Sequence, residues 1–244
     1  MNKLTLLATG LTLATGTSAS AAVISSISTT TGASGLGSGV TLNYDPSAVT
    51  IDLAANVIGP TAADLASNGT DGNGIVSLDR FWNAIGDGGF FSITDGNSGT
   101  TVGNFATNGH FAFTIEAAPG FFLNLDEFTF DSATFTTNNR RGFEVYAKVD
   151  GGTFDSSDLL VDIDDESFLR ANPRENVVDL SGAKYQGITS IEFRVYSLTD
   201  LSGRTVEFDD FLLTGDVLAI PEPSSLVLLA LSSACMLSRR RKEA

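Results

Sequence analysis

Cysteine is almost missing from this 244-residue sequence. The single one, Cys235, lies in the C-terminal stretch, so no disulfide forms within the chain and no Cys-x-x-Cys redox or thiolate zinc site exists. Histidine is equally scarce. His110 stands alone, beside Gly109 at the start of an alternating segment and with no nucleophile motif near it, and reads as a strand-end polar residue rather than a catalytic base. Basic residues are few: 14 Lys and Arg against 29 Asp and Glu give a net charge of −15. A chain without a basic patch repels phosphate, which argues against nucleic acid and anionic membrane surfaces as partners. No glycine-rich phosphate loop is present, which argues against nucleotide chemistry. Long hydrophobic runs are absent too. The two most apolar stretches, Leu4–Leu13 and Leu226–Leu237, both fall short of the roughly twenty residues that cross a bilayer comfortably.

Those two short stretches sit at the ends. At the front, Lys3 supplies a positive charge, Leu4–Leu13 an apolar core, and Ala19-Ser20-Ala21 the small residues that a signal peptidase reads. Residues 1–22 are therefore expected to be a signal peptide, cut after Ala21 or Ala22. At the back, Ile220-Pro221-Glu222-Pro223 precedes the apolar stretch, and Arg239, Arg240, Arg241 and Lys242 follow it. Two prolines around a glutamate keep the backbone extended and accessible. The basic cluster holds its side of the membrane and fixes orientation.

Motif, marginal apolar segment and basic stop, in that order, resemble the PEP-CTERM tail, a sorting signal of exported proteins in Gram-negative bacteria that make extracellular polymeric material. The motif residues fall on Pro221, Glu222 and Pro223, and the arginines on Arg239, Arg240 and Arg241. Ser232, Ser233 and Cys235 make the apolar run less oily than is usual. The resemblance implies a chain tethered in the inner membrane by a short apolar helix, processed by an exosortase, and delivered to the cell surface or matrix. It covers residues 218–244 and is silent on the body.

Without Lys3, Glu222, Arg239–Arg241, Lys242 and Glu243, the body keeps nine basic and 27 acidic residues. It reads as β throughout. Apolar residues alternate with polar ones at Val40-Leu42-Tyr44, Val49-Ile51-Leu53, Phe111-Phe113-Ile115, Leu123-Leu125, Phe128-Phe130, Phe143-Val145-Ala147-Val149, Ile191-Phe193-Val195, and Val206-Phe208 with Phe211-Leu213. Residues two apart share one strand face. Between these sets lie turn clusters such as Asp71-Gly72-Asn73-Gly74, Asp95-Gly96-Asn97 and Asp150-Gly151-Gly152. Sustained helical spacing is missing; Asp64–Ser67 and Ser167–Ala171 are each read as at most one turn. Ser25–Gly39 is either a ragged leader or a weak first strand. The expectation is one antiparallel β-sandwich of jelly-roll type over residues 23–217, with about ten to twelve strands in two sheets. The closing segments Ile188–Tyr196 and Val206–Gly215, the latter with Asp209-Asp210 inside an apolar run, are similar to the last strand pair of jelly-roll domains in PEP-CTERM proteins and carbohydrate-binding modules.

Three sets of residues are candidates for chemistry. Asp150, Asp155, Asp158, Asp162 and Asp164, with Asp165 and Glu166, crowd one connection and supply the oxygens that Ca²⁺ prefers, although the spacing is not that of an EF-hand. The alternative is a solvated acidic loop. Glu207 with Asp209 and Asp210 is a second carboxylate group. Trp82, Tyr44, Tyr146, Tyr185 and Tyr196 are candidate sugar-stacking platforms, with a core position the alternative for Trp82, and Arg140 with Arg141 either pairs with the acidic loop or contacts an acidic polymer. Paired carboxylates also keep glycoside hydrolysis or lysis as an alternative, because that chemistry needs only two of them across a cleft. The reading adopted is a non-catalytic exported protein of the envelope or matrix, associated with exopolysaccharide, with a carbohydrate-binding module as the alternative. It requires no cofactor, and calcium is the one cation candidate.

Overall fold

The computed structural model describes residues 21–29, 47, 49–67, 75–80, 89–94, 102, 105, 109–134, 141–169, 172–199 and 205–220. They contain thirteen strands, slightly more than the sequence suggests: β1 (Ala22–Thr29), β2 (Val49–Leu53), β3 (Val57–Ile58), β4 (Ile75–Arg80), β5 (Gly89–Thr94), β6 (Phe111–Ala117), β7 (Phe121–Ala133), β8 (Arg141–Val149), β9 (Leu159–Ile163), β10 (Arg174–Asp179), β11 (Gln186–Ile188), β12 (Ser190–Thr199) and β13 (Thr205–Ala219). One short helix, α1 (Ala62–Ser67), overlaps the turn expected at Asp64–Ser67. The turn expected from Ser167 is not helical in its described part; Leu169 instead bridges to Thr134.

The strands form an eight-stranded and a five-stranded antiparallel sheet. The first has the order β10-β7-β13-β1-β2, with β11 also on β7, β5 on β13 and β4 on β5; the second runs β3-β6-β12-β8-β9. Alternation does what period 2 demands. In β6, Phe111, Phe113 and Ile115 are buried, the intervening Ala112 and Thr114 are half-buried and Glu116 is exposed. Phenylalanine joins the sheets. Phe128 of β7 stacks on Phe193 of β12 at 4.2 Å, Phe113 of β6 meets Phe211 of β13 at 5.4 Å, and Phe143 of β8 meets Phe208 at 5.1 Å. Each fully buried Phe contributes about 1.5–3 kcal/mol of transfer free energy, so this seam dominates the core.

Two bulges reset the phase of the longest strands. Glu127 and Leu125 of β7 face Thr214 and Gly215 of β13, which leaves Asp126 unpaired. Its carbonyl accepts the amide of Leu180 instead, at 2.8 Å. The second bulge places Asp210 and Phe211 between Asp209 and Leu212, opposite a single residue of β7, and Asp210 takes φ 50°. Hence Leu125 and Phe128, and likewise Phe208 and Phe211, are three apart yet all buried. Leu123-Leu125 and Phe128-Phe130, which read as separate sets, are thus one strand.

The front of the body also differs from expectation. Ser25 does not open a ragged leader: β1 begins at Ala22, lies between β13 and β2, and buries Ile24 and Ile27 completely. The segment Val40-Leu42-Tyr44 lies outside the described residues.

Candidate functional site

The acidic connection is the first candidate, and its carboxylates are already committed to separate tasks. Asp150 follows β8 at φ 54° and accepts from the amides of Thr189 and Ser190 at 2.7 and 3.1 Å and from the Thr189 hydroxyl at 2.8 Å. Asp155 caps the 3-10 turn Ser156–Asp158, accepting from the Ser157 amide at 2.8 Å. Asp158 is buried. It returns the cap through the Asp155 amide and pairs with Lys148 at 2.9 Å and Lys184 at 3.2 Å. Burial alone would raise its pKa, but these donors outweigh it and hold the carboxyl below its ordinary value. Asp162 points outward from β9, paired in register with Glu144, and Asp164 is exposed beyond that strand.

Glu166 has turned inward. Fully buried, it accepts from the Ser132 hydroxyl at 2.7 Å and the Phe168 amide at 2.9 Å, and pairs with Arg174 at 3.2 Å, whose guanidinium lies 4.5 Å over the Phe168 ring. No group of three or more His, Cys, Asp or Glu arranged for a metal ion occurs among the described residues. Asp150, Asp155, Asp158, Asp162 and Asp164, the calcium candidates, are thus not gathered around one point. Sequence neighbours scatter once a strand, a cap and a buried pair each claim one carboxylate.

The second candidate is the outer face of the five-stranded sheet. Tyr146 and Tyr196 meet edge to face at 5.7 Å, Phe105 packs on both, and His110 lies 4.9 Å from Tyr196. Arg194 caps the group 4.1 Å over Phe154. Beneath it Glu144, almost wholly buried, accepts from the Tyr146 hydroxyl at 2.5 Å and the Val102 amide at 3.1 Å. Burial and that bond raise the Tyr146 pKa, so the phenol stays protonated and donates. The carbonyl of Phe105 accepts from Arg194 and Tyr196, each at 3.3 Å. These aromatic faces are turned on one another, so they pack and do not present a stacking platform. Sequence reading named Tyr146 and Tyr196 as candidate platforms but missed the cluster, whose members are spread from Val102 to Tyr196.

The third candidate is a shallow groove of about 370 Å³ on the outer face of the eight-stranded sheet. Ser26 and Ser28 of β1, Thr129 and Asp131 of β7, Glu175 of β10 and Asp210 of the β13 bulge line it. Glu175 stands opposite Asp131 in register. Burial, then Asp210, then Glu175 raise the Asp131 pKa. Hydroxyls and carboxylates of this kind accept and donate hydrogen bonds to a polyol. Beside the groove Asp209 is buried and takes the Thr29 amide at 3.0 Å and the Thr29 hydroxyl at 2.9 Å. Burial and Asp210 overcome these bonds and push its pKa up to about 8. Of the second carboxylate group, Glu207 is also buried and Asp210 is exposed.

Trp82 and Arg140 lie outside the described residues, and Arg141 opens β8. Pro221, Glu222, Pro223, Arg239, Arg240 and Arg241 are likewise outside, as is the apolar stretch. Among the described residues no helix is long and apolar enough to cross a membrane. The described chain ends in an informative way. Strand β13 pairs with β7 up to Ala219, and the Ile220 amide donates to the Gly120 carbonyl at 2.8 Å. The described residues are thus bonded into the fold right up to Ile220.

Residues 219–242 match the PEP-CTERM protein-sorting motif. The chain carries a PEP-CTERM sorting signal. That signal marks an exported protein, and it starts on the last residue of β13. No curated protein matches the chain. Among solved structures, it is similar to the K1 cleaved adhesin domain of Lys-gingipain from Porphyromonas gingivalis W83, at 14% identity and TM-score 0.37 over 67% of this chain and 93% of that one. It is also similar to the CBM22-1 xylan-binding domain from Paenibacillus barcinonensis, at 11% identity and TM-score 0.36 over 59% and 82%. A putative sugar binding protein from Bacteroides thetaiotaomicron gives 14% identity and TM-score 0.37 over 73% and 96%.

Proposed function

We propose that the PEP-CTERM chain is an exported, non-catalytic component of the cell envelope or extracellular matrix, processed by an exosortase and associated with a neutral polysaccharide. The observation that carries this reading is the sorting motif running straight out of the central strand β13. A signal so placed delivers the whole sandwich as cargo. The non-catalytic role is supported by the way buried acids are used: Glu144, Asp158, Glu166 and Asp209 each hold a neighbouring segment in place. The polymer class follows from charge. The groove holds Asp131, Glu175 and Asp210, so it favours uncharged hydroxyl-rich chains and repels uronates. Trp82 is the proposed aromatic contact to the polymer.

Affinity electrophoresis of the full chain through gels containing neutral or uronate-rich polysaccharide tests this. Retardation by a neutral polymer, weakened by Asp131→Asn or Glu175→Gln, is the expected result. Equal mobility in every gel contradicts the polysaccharide reading and leaves the sorting signal untouched.

A further inference from the structure

The end of the sandwich that carries the tail exposes several large apolar side chains. Leu218 and Ile220 are 40% and 49% exposed on the last residues before Pro221. Ile58 of β3 is 49% exposed and reaches the same end through a short chain of backbone bonds: Ala118 donates to Asn56, Phe121 to Ala118, and Ile220 to Gly120. Leu53, also exposed, lies over Gly59 beside Ile58, and half-buried Phe122 pairs with Leu218.

Chain length decides what lies against this rim. Five residues, Pro221 to Ser225, lie between Ile220 and Leu226, where the apolar stretch begins, so six residue steps join them. Fully extended, those six steps span at most about 20 Å. The headgroup layer on each side of the hydrocarbon takes up about 6 Å of that. A sandwich tethered so closely holds its rim at the membrane surface at a high effective concentration, where even a small apolar area suffices for contact. Exposed Glu116, paired with Ile58, and Asp216, close to Leu218, disfavour both an anionic lipid surface and a second copy of the same rim.

We infer that this rim, formed by Leu53, Ile58, Leu218 and Ile220, rests on a zwitterionic lipid surface while the tail is inserted, and comes away when the tail is cut. The inference relies on the sorting-tail reading. It makes the membrane the partner of a defined end of the fold.

The test uses the full chain with Cys235→Ser and a single cysteine at Ile58, Leu218 or Val177, each labelled with an environment-sensitive fluorophore. Val177 is the control. It is 57% exposed, but it pairs with Thr129, seven residues along β7 from Phe122 or about 23 Å away. In phosphatidylcholine vesicles carrying headgroup-level spin labels, the Ile58→Cys and Leu218→Cys probes should shift to the blue and be quenched, and the Val177→Cys probe should not. Vesicle association without quenching at Ile58 and Leu218 overturns the inference but keeps the tail. Failure of the full chain to associate with vesicles overturns both. Burial of the Ile58 probe that rises with protein concentration in detergent, without vesicles, assigns the rim to a second copy and also overturns it.

Discussion

At the residue scale, stability is shaped by buried carboxylates with opposite pH signs. Asp209 has a folded pKa of about 8, above its ordinary value of 3.8, so the folded chain binds the extra proton between those limits. Its contribution is complete below about pH 4 and is lost as pH rises through 8. Asp158 runs the other way. Its pKa is lowered, so its contribution is present above pH 3.8 and is lost as pH falls further. The expected melting temperature therefore declines from pH 5 to pH 9, and Asp209→Asn flattens that decline; differential scanning calorimetry across this range measures it. Asp158→Ala should cost about 2 kcal/mol in urea unfolding, because Lys148, Lys184 and the Asp155 amide lose one shared acceptor. Mutating Asp162, which faces solvent, should change little.

At the element scale, the bulge in β7 and β13 forces two backbones together. A Cβ on Gly215 would stand 2.1 Å from the Asn124 carbonyl oxygen and 2.9 Å from the Leu125 Cα, and Gly215 has φ +151°. Gly215→Ala should therefore destabilise by about 3 kcal/mol or more, against near neutrality for Gly182→Ala, whose Cβ meets nothing. Chemical denaturation of the two variants gives the comparison. The bulges also explain how far the sequence could be read. Alternation showed β2, β6, β8 and β12 almost residue for residue, since each keeps a single phase. It split β7 at Asp126 because a bulge shifts the phase by one. It undervalued β1, whose serines and threonines look like a leader until Ile24 and Ile27 are seen between two sheets. The acidic connection was legible only as a crowd of carboxylates: proximity in sequence carries no information about which of them caps, pairs or turns inward. The tail was legible because sorting signals are read as linear sequence, with no fold required.

At the scale of the whole molecule, a core seamed by phenylalanine and a body of nine basic and 27 acidic residues make a stable, self-repelling particle. Because its carboxylates are held by lysines, amides and hydroxyls, chelation should leave the melting temperature unchanged; a drop of several degrees with EDTA would return the acidic connection to calcium. The central claim concerns destination. The most direct test is intact-mass analysis of the protein recovered from membrane and extracellular fractions of a Gram-negative host that makes an exosortase. The account predicts an extracellular species lacking Arg239–Arg241 and ending near Pro221–Pro223, and a Pro221→Ala/Pro223→Ala variant that keeps its tail and stays with the membrane. An extracellular species with the arginines still attached, or the same distribution for both chains, would contradict it.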